Sequence, residues 1–159
     1  MFAHINNVGA TSGALTTGDT LTGGTSGATG TIESVSTAGS GTLTGATAAN
    51  PPVITCSAGH SLTEGQQIYI SGVSGMTQLN TNYYTVKDPT ATTFKLWTAQ
   101  AAATTVPAAV TGSGFSSWSS GGTAVHTVII VNNLKGEFSD NETITAPTNS
   151  RTGTVQYSA

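Results

Sequence analysis

Gly18-Asp19-Thr20-Leu21-Thr22, near one end of the chain, returns near the other as Asn141-Glu142-Thr143-Ile144-Thr145. Farther on, at an unchanged offset, Thr29-Gly30-Thr31-Ile32 is matched by Thr152-Gly153-Thr154-Val155. Upstream, Ile5-Asn6-Asn7-Val8 is matched by Val131-Asn132-Asn133-Leu134, with three residues fewer before the next match. Each copy reads as strand, acid-led strand, turn, strand. One such unit exposes an apolar face that it cannot bury alone, whereas two can bury their faces against each other as a small sandwich or barrel. The copies lie at the two ends of the chain. The expected architecture is therefore all-β: a terminal domain built from residues 1–49 and 113–159, with residues 50–112 as an inserted domain.

The rest of the chain supports strands rather than helices. Thr, Ser and Gly are poor helix formers, and the apolar stretches are short and bounded by turns. Strands are expected at Phe2–Asn6, Thr20–Thr22, Gly30–Val35, Val53–Cys56, Gln67–Ser71, Tyr83–Lys87, Thr93–Trp97, Val125–Val131, Glu142–Thr145 and Thr152–Tyr157. Ile68-Tyr69-Ile70 and Phe94-Lys95-Leu96 alternate with period two, as half-buried strands do. Ala99–Ala103 has the composition for one helical turn. Ala48-Ala49-Asn50-Pro51-Pro52 suggests an extended entry into the insert, because proline fixes its own φ and restrains the residue before it. Thr111-Gly112-Ser113-Gly114 and Ser119-Ser120-Gly121-Gly122 read as the exit.

Composition narrows the function classes. Charged residues make up 7% of the chain, against about 25% in ordinary soluble domains. Ile, Leu, Val and Phe together number 30 of 159 residues, and the formal net charge is -3. That is a folded chain with a thin core, which favours stabilisation by binding neighbours. Four cations cannot neutralise enough phosphates for nucleic-acid binding. No apolar run approaches a membrane span, and Met1-Phe2-Ala3-His4 has neither the charged nor the apolar region of a signal peptide. The single Cys56 excludes an internal disulfide.

Pro52-Val53-Ile54-Thr55, Gly59-His60-Ser61-Leu62, the run Glu64-Gly65-Gln66-Gln67-Ile68-Tyr69-Ile70-Ser71-Gly72-Val73-Ser74-Gly75-Met76, Leu79-Asn80, Tyr84-Thr85-Val86 and Thr92-Thr93-Phe94-Lys95-Leu96 form an ordered set. Together, over residues 51–97, they resemble the small β-barrel domain named after the first catalytic cysteine half-domain of ubiquitin-activating enzymes. Modules with this pattern are widespread in phage tail and virion proteins. The Gly/Thr-rich string at 18–31 also resembles short repeats of phage structural proteins. The resemblance implies a virion structural protein, of the capsid decoration or cement kind, made in the host cytoplasm. The alternative is a tail fibre or baseplate module that binds a host glycan or protein. Expected partners are the major capsid protein or another virion protein and further copies of the chain, trimers among the assemblies. Nothing here resembles the nucleotide-binding or thioester-forming parts of ubiquitin-activating enzymes.

Residue by residue, the chemistry reads as structural. His60 belongs to a turn, and His4 and His126 flank apolar strand residues without the convergent partners a metal needs. Cys56 has no placed cation or base to activate it and reads as a small buried thiol. Asp19 and Glu142 occupy equivalent repeat positions as turn residues that begin strands, and Asp140-Asn141-Glu142 reads as a solvated turn rather than a calcium loop. No catalytic residue, cofactor or metal site is therefore expected. The candidate site residues are interface aromatics: Phe2, Trp97, Phe115 and Trp118, with Trp118 foremost as an exposed anchor.

Overall fold

The structure, a computed structural model, describes residues 3–6, 15–57, 59–99, 106–139, 142–147 and 151–154, with backbone only for 3–6 and 151–154. The fold is all-β. Its strands are β1 (Ala3–Asn6), β2 (Thr20–Gly23), β3 (Thr29–Ala46), β4 (Val53–Cys56), β5 (Gln67–Ser71), β6 (Asn82–Lys87), β7 (Thr93–Thr98), β8 (Thr123–Lys135), β9 (Thr143–Ala146) and β10 (Arg151–Thr154). A 3-10 turn at Thr77–Leu79 is the one helical element among the described residues. Phe2 and residues 100–103 of the helical turn expected at Ala99–Ala103 lie outside those residues.

The chain divides into two compact units. Among the described residues, the terminal unit takes those up to Thr37 and from Thr127 on, and the barrel unit takes 38–99 and 106–126. The divisions fall inside β3 and inside β8, not at the expected 49/50 and 112/113. The Pro51 and Ser113 regions nonetheless lie together within the barrel unit. Ser113 N–H donates to Asn50 Oδ1 (2.9 Å), and Gly112 N–H donates to Ala49 O (3.1 Å). Residues 48–51 bend, with a cis Asn50–Pro51 bond, where an extended entry was expected.

In the terminal unit the repeat becomes geometry. β2 pairs antiparallel with β9, and Thr22 faces Thr145, its own counterpart in the other copy. β1 pairs antiparallel with β8, and His4 faces Ile130, the residues just before the counterparts Ile5 and Val131. In each pairing, therefore, strands of the two copies meet with equivalent positions opposite each other. β3 continues the sheet beyond β2, and β10 continues it beyond β9. The core between them holds Leu15, Leu21, Ile32, Ile129, Val131, Phe138 and Ile144. Leu15 and Phe138 are counterparts too, each placed four residues before its acid. β3 also pairs with β8, and Gly30 in β3 packs closely on Val131 of β8. A Cβ on Gly30 would run into Val131 Cγ1 and stand 3.2 Å from Leu134 Cδ1.

The acids that begin β2 and β9 are not solvated, contrary to the expectation for Glu142. Asp19 and Glu142 are 7% and 4% exposed. Each closes the same reciprocal turn. Asp19 N–H donates to Thr16 O (3.1 Å) while Thr16 N–H donates to Asp19 Oδ2 (2.9 Å). Glu142 N–H donates to Ser139 O (3.3 Å) while Ser139 N–H donates to Glu142 Oε1 (2.6 Å). A buried carboxylate is tolerable when backbone donors replace its water.

The barrel unit is a ring of strands. β5 pairs with β6, β6 with β7, β7 with β4 and β4 with β3, and β5 also pairs with the start of β8. Leu43 N–H in β3 donates to Gly122 O (2.9 Å), just before β8, and closes the ring. Ile54, Ile68, Ile70, Val86, Phe94 and Leu96 fill the interior and are all at 0% exposure. β3 runs on through Ser36–Ala46, past the expected strand Gly30–Val35, although the Gly, Ser and Ala content there argues against a strand. The barrel needs those small residues: a Cβ on Gly41 would stand 2.8 Å from Cys56 Sγ.

Gly30→Val should lower the stability of the terminal unit by about 3 kcal/mol, the upper end of overpacking costs. A two-signal denaturant melt checks this, because the barrel transition should stay in place.

Candidate interaction surface

Between residues 38 and 126 the sequence holds four charged side chains, Glu64, Lys87, Asp88 and Lys95. The hairpin that joins β6 to β7 gathers them at one place. Lys87 Nζ lies 2.7 Å from Glu64 Oε1, and Lys95 Nζ lies 2.7 Å from Asp88 Oδ2. Asp88 N–H donates to Glu64 Oε2 (2.8 Å). The hydrogen bond and charge of Lys95 hold the Asp88 carboxyl below the usual range. These pairs are solvent-exposed and contribute little stability. They do neutralise one another, so the remaining surface of the barrel unit is hydroxyl, amide, apolar and aromatic groups.

The predicted aromatics divide between two settings. Phe115 and Trp118 sit in the loop from Thr111 to Gly122 and pack together on the barrel core. Both are half-buried, so Trp118 is an anchor to its own barrel rather than a free-standing exposed ring. Its Nε1–H donates to Gly121 O (3.1 Å). Paired backbone bonds between Ser74 and the loop at Ser119 and Ser120 fix its course. This leaves Ser113, Ser116, Ser117, Ser119 and Ser120 exposed on an ordered loop. Trp97 lies elsewhere, on the outer face of β7, half-buried, with Lys87 Nζ 5.6 Å from its ring centroid.

Beside Trp97 lies a patch that the aromatics alone did not mark out. Gln67, Thr85 and Trp97 stand side by side across β5, β6 and β7, and Tyr69 faces Tyr83 in the next row. The two tyrosine rings are 4.9 Å apart at 46°. Burial, then the neighbouring Tyr69, pushes the Tyr83 phenol up to about 12. Gln67 Nε2 donates to Thr85 Oγ1 (2.8 Å), and Thr85 Oγ1 donates to Thr98 O (2.9 Å). Gln67 Oε1 is buried and has no partner. The alternation Gln67-Ile68-Tyr69-Ile70 sets these side chains opposite the core. Only the pairing of β5 with β6 reveals that they meet.

The remaining reactive groups are held by the fold. His60 Nδ1 accepts from Leu62 N–H (3.3 Å), which leaves Nε2–H to donate to Thr93 O (3.3 Å). His126 is buried, and its Nδ1 donates to Gln67 O (2.7 Å). Burial pushes the Cys56 thiol up to about 11, so little thiolate forms near neutral pH. His4 and Asp140 have no described side chains. Among the described residues no cluster of His, Cys, Asp and Glu could hold a metal, and no helix is long and apolar enough to cross a membrane.

A six-stranded ring with an outer polar and aromatic face defines a small β-barrel module. Residues 49–128 match the ubiquitin-activating enzyme E1 FCCH domain, and the chain belongs to that family. The match runs past the 51–97 resemblance and takes in the loop that carries Phe115 and Trp118. No curated protein matches the chain.

Trp118→Ala should destabilise the isolated barrel by about 2 kcal/mol, roughly half the cost of emptying a fully buried aromatic site. A rim anchor for a neighbour would change a denaturant melt by less than about 0.5 kcal/mol. Cys56 should react with a disulfide-exchange reagent at pH 8 only after denaturant is added, as followed by thiol release.

Proposed function

We propose that the chain is a non-catalytic structural protein of a phage virion, most simply a decoration protein that stabilises a capsid through protein contacts. The observation that carries this reading is the neutral surface of the barrel unit, where all four charges pair among themselves. Desolvating hydroxyls, amides and apolar groups costs less than stripping water from unpaired ions. Such a surface suits dense, permanent packing against neighbours. The thin core agrees, because bound neighbours add stability by mass action. The resemblance of the barrel to modules of phage tail and virion proteins gives the setting. The partners would be the major capsid protein and further copies of this chain.

A catalytic role has no support in the site. His60 and His126 each spend a ring nitrogen on a backbone carbonyl, and the Cys56 thiol is buried. One feature favours the second reading, a tail fibre or baseplate module that binds a host glycan or protein. It is the half-buried Tyr69–Tyr83 pair on the outer face of β5 and β6. Rings for stacking beside amide and hydroxyl groups fit a neutral, hydroxyl-bearing ligand.

Particles stripped of the protein should rupture at lower temperature or force than decorated ones, and adding the protein back should restore them. Its binding to stripped particles should change less than about threefold between low and high salt, since no net ion pairing drives it. Unchanged rupture, together with a handful of copies per particle instead of hundreds, would favour the tail reading.

A further inference from the structure

Glu142 does more than close its own turn. Its carboxylate also accepts hydrogen bonds from the turn between β2 and β3, which belongs to the other repeat. Thr25 N–H and Ser26 N–H donate to Oε2 at 3.0 and 2.9 Å, and Ser26 Oγ–H donates to Oε1 at 2.7 Å. With Ser139 N–H at 2.6 Å, one buried carboxylate satisfies four donors drawn from both copies. Gly24 N–H, donating to Thr143 O (2.8 Å), continues the β2–β9 seam beside it.

We propose that Glu142 is an acid-released latch between the two repeats, and that acidification opens the terminal unit while the barrel unit stays folded. Protonation removes the negative charge that strengthens all four bonds and puts an O–H donor among the backbone N–H donors of Thr25, Ser26 and Ser139. Burial alone would raise the pKa of Glu142, but the bonds from Ser26, Thr25 and Ser139 outweigh it and hold the group below its usual value. Its stabilisation is therefore fully present above the ordinary glutamate range and is lost as pH falls through the lowered value. The segment packed on it, residues 23–28, carries no titratable side chain. Among the described residues no charged group contributes to its titration.

The barrel unit lacks an equivalent. Its carboxylates, Glu64 and Asp88, lie in exposed pairs. The buried His126 donates through Nδ1 to Gln67 O, a bond that survives protonation. Protonation of the half-buried His60 removes one acceptor, for Leu62 N–H.

Both tryptophans, Trp97 and Trp118, belong to the barrel unit, so their fluorescence reports that unit alone. Backbone amide NMR reports both units. Between pH 7 and pH 3 the native amide signals of 20–32 and 143–146 should disappear once the pH falls below the ordinary glutamate range. Those of β5, β6 and β7 and the tryptophan emission should persist. Glu142→Gln should abolish this pH-dependent step, leaving the state of the terminal unit unchanged over the same range. If that variant fails to fold, Ser26→Ala should move the midpoint of the acid step to higher pH. The proposal is overturned if Glu142→Gln keeps the wild-type acid step, if Ser26→Ala leaves the midpoint in place, or if both units lose structure together.

Discussion

The terminal unit depends on a strand meeting its own copy. A four-residue strand with one apolar face cannot stay folded alone, and the chain supplies the missing partner from its far end. Thr22 opposite Thr145 and His4 opposite Ile130 fix the register on both sides of the unit. Once that register is set, Leu21 and Ile144 fall on the core side and the two acids fall on the turns. A slip of one residue would turn every one of these side chains to the wrong face.

Burying carboxylates in a chain with so few charges is the less expected result. Asp19 and Glu142 take up backbone N–H groups that short strands leave unpaired at their ends. A small core cannot tolerate many orphaned donors. The acids thus substitute polar satisfaction for apolar bulk. The barrel unit solves the same problem differently, by closing its ring and filling it with Ile, Val, Leu and Phe.

The parts of this fold legible in the sequence are those where side-chain pattern and turn chemistry agree. β4 and β5 fall at Val53–Cys56 and Gln67–Ser71, as period two and flanking turns predict. β3 was half missed because Gly39 and Gly41 serve close packing against Leu62 and Cys56, a tertiary demand that looks locally like a loop. For the same reason the division of the chain lies inside β3 and β8 rather than at the proline and glycine clusters. Among the candidate site residues, Trp97 stands on the outer face that its alternation with Leu96 indicates. Trp118 could not be placed from sequence, since a loop amid serines gives no periodicity. The meeting of Gln67, Thr85 and the two tyrosines required the pairing of β5 with β6.

The division of the chain also orders events on the ribosome. Domains fold as units while the chain emerges at about 5–20 residues per second. The barrel unit is complete once residue 126 has emerged, but residues up to 37 must wait for β8 and β9. During that interval Leu21 and Ile32 have each other and Leu15 but lack Ile129, Val131, Phe138 and Ile144 to cover them. Nascent chains on one polysome would then present identical, self-complementary strand edges to one another, held apart chiefly by the barrels that have already closed.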